Sequence, residues 1–190
     1  MEQRRTASET RLMVFKACGR ILRRDGLTNL TLENVAAEAG LSKGGLLYHF
    51  PNKQSLIEAL FDYHNQIFEE RLQALAEDEI EAPGAWLRAY AKASIEQITY
   101  PGNASLYASL FAAEEQYAGA HSLMRGKYVQ WQEQVENSGL DLAQATLVRL
   151  AVDGLWFAEM HSYAPPDAAR RNEIIDLILQ LTYNPSPIHG

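Results

Sequence analysis

The sequence predicts an all-α protein of about nine helices. Most segments between Gly and Pro residues carry apolar residues three and four positions apart, the spacing of one helix face. No segment shows a clear alternation of polar and apolar residues, and no Asn-Gly or Asp-Gly pair lies between alternating residues as in a hairpin. The predicted helices cover about 8–25, 31–39, 42–50, 53–79, 84–100, 103–118, 121–137, 140–162 and 167–182.

The composition is that of a globular chain. Its 190 residues are 47% hydrophobic and 22% charged, which excludes a collagen and a mainly disordered chain. The length allows one domain, or a small domain fused to a larger one. The first residues are polar, no apolar run approaches a membrane span, and Cys18 is the single cysteine. We therefore expect a cytoplasmic protein.

The net charge of −7 hides an asymmetry along the chain. Residues 1–65 hold nine basic and seven acidic side chains, whereas residues 66–190 hold eight basic and seventeen acidic ones. Nucleic acid responds to the local potential of a protein rather than to its total charge. Any DNA-binding site is therefore expected in the first third of the chain.

The first three helices have clear boundary signals. An apolar stripe of the first helix includes Leu12, Phe15 and Cys18, and Gly26 ends that helix. Thr31 is a suitable N-cap for the second helix and Ser42 for the third, because their hydroxyls accept from free N–H groups of the first turn. The fourth helix is expected to bury a face formed by Leu56, Leu60, His64, Ile67 and Leu75.

The second and third helices form a predicted helix-turn-helix. A turn of about four residues containing Gly40 joins them. The third helix opens with Lys43 and two glycines, which allow close backbone approach, and then presents Tyr48 and His49. Small, cationic and amphipathic side chains on a short helix suit the major groove of DNA.

These segments resemble the DNA-binding domain of the TetR/AcrR family of bacterial transcriptional repressors. The matching patterns are T-x-x-x-V-A-x-x-A-G-x-S-K-G from Thr31 to Gly44 and L-Y-H-F-P-N-K-x-x-L from Leu47 to Leu56. The resemblance covers roughly residues 10–60, and beyond it only the layout of helices is similar. Gly45 stands where many members have Thr, and Leu47 where many have a Tyr that touches the DNA backbone.

The candidate DNA-binding residues follow from both arguments. They are Thr31, Ser42, Lys43, Gly44, Gly45, Leu47, Tyr48, His49 and Lys53. At least one of Leu46, Leu47 and Phe50 is expected to pack into the core instead. Arg4 and Arg5 are also candidates, either as an arm that reaches DNA or as a solvated tail.

Aromatic and flexible apolar residues accumulate after residue 80. With a few polar tips, such residues suit a small-molecule pocket, although each can equally be core. The resemblance implies an inducer cavity beside the fourth helix. The candidate ligand-binding residues are His64, Trp86, Tyr90, Tyr107, Phe111, Tyr128, Trp131, Trp156, Met160 and His161.

The last two predicted helices carry apolar stripes that suit pairing with a second copy. Two such helices and their symmetry mates would form a four-helix bundle, although the stripes can instead face the core of their own chain. The candidate interface residues are Leu147, Ala151, Gly154, Leu155, Ala158, Ile174, Ile178 and Leu181.

The sequence thus predicts a DNA-binding domain at residues 1–52 and a ligand-binding and dimerisation domain at 53–190. We expect a homodimeric, ligand-released repressor of a palindromic operator, with a small apolar or amphipathic effector and no cofactor or metal. The alternative is a small-molecule sensor or interaction protein of the same fold without specific DNA binding. No nucleophile–base pair, phosphate-binding loop or metal-ligand motif indicates an enzyme.

Overall fold

The fold is entirely helical over the residues that the computed structural model describes, 6–77 and 82–183. Within these ranges nine α-helices and one 3-10 turn (Leu27–Asn29) follow one another, and there is no strand. The helices are α1 (Ala7–Asp25), α2 (Leu32–Ala39), α3 (Lys43–His49), α4 (Lys53–Ala76), α5 (Ala85–Thr99), α6 (Asn103–Gln116), α7 (Ala118–Glu136), α8 (Leu142–His161) and α9 (Ala168–Tyr183). The predicted fold class is confirmed.

The described residues group into two compact units. The first contains residues 6–65 and 105–124, and the second contains 66–77, 82–104 and 125–183. Helix α4 therefore contributes its first half to one unit and its second half to the other. The predicted functional division at residue 52 remains a prediction.

The first unit has one hydrophobic core, built on α1. Val14, Cys18 and Ile21 of α1 are buried against residues of α2, α3, α4 and α6. The N-terminus of α1 is closed by a capping box in which Thr6 and Glu9 bond each other's backbone N–H. Leu12, expected on the inner stripe, is exposed instead, because the buried face of α1 begins at Val14.

The buried face of α4 differs from the predicted one. Leu56 and Leu60 are fully buried as expected, but Ile67 is 42% exposed. Beyond Leu60 the buried positions are Phe61, Asn65, Phe68 and Leu72, which follow one another at spacings of three or four residues. They form a continuous stripe displaced by one residue from the predicted one, so Ile67 turns to solvent.

The second unit is organised by mutual packing of α5, α8 and α9. Arg88 of α5 is buried and donates to the backbone oxygens of Pro83 (2.9 Å) and Thr182 (3.0 Å). Its guanidinium also lies 4.2 Å from the centre of the Tyr183 ring. Gly84 has a φ of +75°, and a Cβ there would overlap the Thr182 backbone oxygen. The start of α5 and the end of α9 are therefore tightly joined.

Candidate functional site

Local hydrogen bonds close the N-termini of α2 and α3, and a glycine ends α2 at the turn between them. Thr31 Oγ1 accepts from the Asn34 N–H (3.1 Å) and Ser42 Oγ from the Gly45 N–H (3.0 Å), so both predicted N-caps are confirmed. Gly40 ends α2 with a φ of +66°, in the left-handed region that favours glycine. These contacts fix the path of the chain from α2 into α3.

Helix α3 has one buried face and one exposed face. Leu46 and, just after the helix, Phe50 are buried in the core of the first unit, whereas Leu47 is half-buried. Tyr48 is 85% exposed, although a tyrosine ring usually finds apolar contacts. Gly44 is exposed, and a Cβ there would meet nothing within 4 Å. The structure thus separates the anchoring side chains from those presented to solvent.

The cationic candidate at the start of α3 has a partner. Lys43 Nζ lies 2.5 Å from Glu33 Oε1 of α2, and both side chains are mostly exposed, at 59% and 61%. The ion pair lowers the pKa of Glu33, chiefly through the hydrogen bond from Lys43. Glu33 was not among the predicted site residues, because its contact with Lys43 depends on how α2 and α3 fold together.

The remaining predicted DNA-binding positions flank α3. His49 is half-buried, with its ring edge-on to Tyr48 at 5.2 Å between centres. Lys53 begins α4, whose first turn is closed by the Asn52 side chain accepting from the Ser55 N–H (2.8 Å). Arg4 and Arg5 lie outside the described residues.

Four predicted ligand-binding aromatic residues lie together in the second unit. Trp86 stacks on Tyr90 (5.1 Å between ring centres), Tyr90 contacts Trp131 (5.7 Å) and Trp131 contacts Tyr128 (4.9 Å). Phe68 of α4 joins this aromatic cluster against Tyr90 and Trp131. Phe68 was missed because it lies outside the aromatic-rich stretch that begins after residue 80.

A partly buried polar network adjoins the aromatic cluster. The Tyr90 hydroxyl donates to Asp153 Oδ1 (2.5 Å), and Arg149 Nη1 donates to Asp153 Oδ2 (2.7 Å). Burial raises the pKa of Asp153, against the lowering effect of the two hydrogen bonds and of the Arg149 charge. The aromatic cluster therefore lies beside a partly buried carboxylate that is bonded to both a phenol and a guanidinium.

The other predicted ligand-binding residues are distributed elsewhere. In the first unit His64 lies edge-on to Tyr107 (5.7 Å), and Phe111 is exposed. In the second unit Trp156 Nε1 donates to Gln97 (3.2 Å) and Met160 is buried. His161 contacts the rings of Phe157 and Tyr163.

The predicted interface residues divide into exposed and buried ones. Leu147 is 57% exposed and Gly154 is exposed, while Ala151, Ala158, Ile174 and Leu181 are half-buried. Leu155 and Ile178 are instead buried inside the second unit of the single chain. Both lie where α8 and α9 pack on each other and on α5, and their role in an interface stays a prediction.

The single cysteine of the chain, Cys18, lies in the core of the first unit. Burial raises the pKa of the Cys18 thiol to about 12, so it is no nucleophile at neutral pH. No group of three His, Cys, Asp or Glu side chains among residues 6–77 and 82–183 is placed to hold a metal ion. No described helix is both long enough and apolar enough to span a bilayer.

Comparison with known proteins places both halves of the chain. A family described as "Bacterial regulatory proteins, tetR family" matches residues 16–60. A second, "Tetracyclin repressor-like, C-terminal domain", matches residues 84–183.

A curated relative agrees with this placement. The HTH-type transcriptional regulator TtgR of Pseudomonas putida is 34% identical over 79 residues, which is 41% of this chain and 38% of TtgR. The match thus spans about two fifths of that curated relative.

Solved structures share the fold over nearly the whole chain. A TetR family member from Streptomyces coelicolor A3 has a TM-score of 0.68 at 22% identity, covering 92% of this chain and 98% of its own. The multidrug binding protein EbrR complexed with malachite green has a TM-score of 0.65 at 22% identity, covering 90% and 97%. With a family match over more than half of its length and a helix-turn-helix in the same place, the chain belongs to the TetR family of bacterial regulatory proteins.

Proposed function

We propose that this protein is a homodimeric repressor that binds a palindromic DNA operator through α3. The observation that carries the proposal is the exposed face of α3. Tyr48 points to solvent there, while Leu46 and Phe50 are buried and anchor the opposite face of the helix on the core. Gly44 leaves space for a nearby backbone, and Lys43 supplies a cation at the same end. Such a face fits the major groove, with phosphate contacts from Thr31, Ser42 and Lys53 at its edges.

We propose that the dimer forms through α8 and α9. One helix-turn-helix contacts few base pairs, and a two-fold dimer doubles those contacts on half-sites about 34–36 Å apart or a multiple of that distance. Leu147, Leu150 and Leu177 are each more than half exposed, an apolar surface that a second copy would cover.

The proposed effector is a small apolar or cationic amphipathic molecule. The aromatic cluster offers ring faces that bind apolar groups and cations, and the partly buried Asp153, which is paired with Arg149, offers a polar contact beside them. Helix α4 carries Phe68 of this cluster and begins at Lys53 beside α3. Effector binding that shifts α4 would change the separation of the two DNA-binding faces and release the operator.

DNA binding is tested by selection from a randomised duplex pool, followed by fluorescence anisotropy on the enriched sequence. We expect a palindrome to be enriched. Tyr48→Ala should weaken binding about tenfold or more, the cost of one good base or phosphate contact. Tyr100→Ala, which removes a tyrosine that is 64% exposed outside the first unit, is the matched control and should leave the affinity unchanged. Enrichment of no sequence, or equal losses in both variants, would contradict the proposal.

Effector release is tested with malachite green, the dye bound in the EbrR structure. We expect it to quench tryptophan fluorescence, to bind more weakly to Trp131→Ala, and to lower the protein's affinity for the selected operator. The dye titrated into the labelled duplex alone corrects for direct DNA binding. If the dye saturates the protein and operator affinity does not change, release by ligands of this class is wrong.

We further propose that the protein acts in the cytoplasm, where bacterial operators lie, and that it has no enzymatic activity. The family of regulatory proteins supports both statements. Turnover of a bound dye, detected by chromatography, would contradict the second.

A further inference from the structure

The ion pair between Glu33 and Lys43 lies at the edge of the proposed DNA-binding face. Glu33 is the second residue of α2 and Lys43 the first of α3, so the contact bridges the helix-turn-helix. The distance of 2.5 Å between Nζ and Oε1 makes it a direct hydrogen-bonded pair. Both side chains are more than half exposed, so an incoming duplex can reach them.

The carboxylate has the charge and the acceptor geometry of the group that Lys43 would meet on DNA. A lysine that contacts a phosphate releases counterions and contributes a slope of about −0.9 to the salt dependence of binding. With Glu33 in place, a phosphate must displace the carboxylate or share the ammonium with it. The local charge of the pair is zero, so the attraction of this edge for the DNA backbone is reduced.

We propose that Glu33 is a built-in competitor for DNA phosphate at Lys43, which weakens duplex binding and flattens its salt dependence. The inference rests on the proposed function, since it requires Lys43 to approach the DNA backbone. It assigns Glu33 no contact with bases, so it predicts an equal effect on operator and unrelated sequences.

The same helix offers a matched control. Glu38 of α2 is also ion-paired, with its Oε1 2.5 Å from Arg20 Nε and its Oε2 3.4 Å from Arg24 Nη2, both on α1. Glu33→Gln and Glu38→Gln each remove one negative charge from α2, so both raise the general attraction of the first unit for DNA. Only Glu33→Gln frees Lys43.

The experiment measures anisotropy of the full-length variants on the selected operator and on a scrambled duplex of about 30 base pairs, three helical turns. Over about 50–200 mM salt, the Glu33→Gln variant should bind both duplexes about threefold more tightly for each DNA-binding face that engages. The slope of the logarithm of its binding constant against the logarithm of salt concentration should be steeper by about 0.9 per face. Glu38→Gln should raise the affinity less and leave the slope unchanged. In a Lys43→Gln background, Glu33→Gln should no longer steepen the slope.

Three outcomes would overturn the inference. Equal effects of Glu33→Gln and Glu38→Gln would show a general charge effect. Weaker binding by Glu33→Gln would show that the carboxylate positions Lys43 rather than competing for it. Persistence of the steeper slope in the Lys43→Gln background would show that another cation is responsible. If the wild-type protein and all variants bind no duplex, the proposed function falls as well. If the wild type binds duplex DNA but Glu33→Gln and Glu38→Gln have the same effect, only the inference about Glu33 is wrong.

Discussion

Replacing His64 with leucine should remove a defined part of the loss of folding stability that this protein shows as the pH falls. The imidazole is largely buried in the first unit between the rings of Tyr63 (5.4 Å) and Tyr107 (5.7 Å). Its Nε2 has no hydrogen-bond partner among the described residues. Burial, and secondarily the charge of Arg23, lower the pKa of His64 from 6.5 to about 4. Between about pH 4 and pH 6.5 His64 is therefore mostly neutral in the folded protein and mostly protonated in the unfolded chain.

The magnitude follows from the two pKa values. Between pH 6.5 and about 4 the unfolded chain binds more protons than the folded one, so stability falls as the pH falls. The full effect below pH 4 is about 3 kcal/mol, and about 2 kcal/mol of it is lost between pH 7 and pH 5. The other histidines and carboxylates remain in both proteins, so their contributions cancel in the comparison.

Urea unfolding at about pH 7 and pH 5, at one fixed protein concentration, measures this effect. From pH 7 to pH 5 the free energy of unfolding of the wild type should fall by about 2 kcal/mol more than that of His64→Leu. Ile57→Val, a fully buried non-titrating site in the same core, is the control. It should cost about 1 kcal/mol equally at both pH values. Equal pH-dependent losses in the wild type and His64→Leu would refute the reasoning.

Three further predictions concern stability. Gly84→Ala should destabilise the protein by about 2–4 kcal/mol in thermal denaturation, because its φ is +75° and the new Cβ would overlap a backbone oxygen of α9. Gly126→Ala in α7, where a Cβ meets nothing, should be neutral or stabilising, so equal losses would contradict the packing argument. Tyr90→Phe should lower the free energy of unfolding measured in urea by about 1–3 kcal/mol, since the partly buried Asp153 loses a hydrogen bond; no loss would mean that water replaces the phenol. Ser42→Ala should cost about 1 kcal/mol and Ser42→Asp little, and equal losses in the two would count against N-capping.

The boundaries of α1, α2 and α3 could be predicted because their causes are local. Thr31 and Ser42 cap their helices through N–H groups three residues ahead, and Gly26 and Gly40 end theirs with a positive φ. Each signal lies within a few residues of the structure that it determines. The family pattern over Thr31 to Leu56 depends on the same short range and could be recognised without tertiary information.

Contacts between residues distant in the chain required the structure. The Tyr90–Asp153 hydrogen bond joins residues 63 positions apart, and nothing in the spacing of α5 or α8 indicates it. Phe68 joins the aromatic cluster because the buried face of α4 is displaced from the one that its apolar residues predict.

Helix caps and contacts between distant residues differ in predictability because the interactions behind them act over different ranges of the chain. Periodicity and capping act over three or four residues, so the all-α fold class, the helix-turn-helix and its caps can be predicted from the chain alone. Packing of the helices on one another selects which apolar residue of a helix faces inward. It buried Leu46, Phe50, Leu155 and Ile178, left Tyr48 exposed, and brought Glu33 to Lys43. Burial is a property of how helices pack on one another, and a single helix carries apolar residues on more than one side.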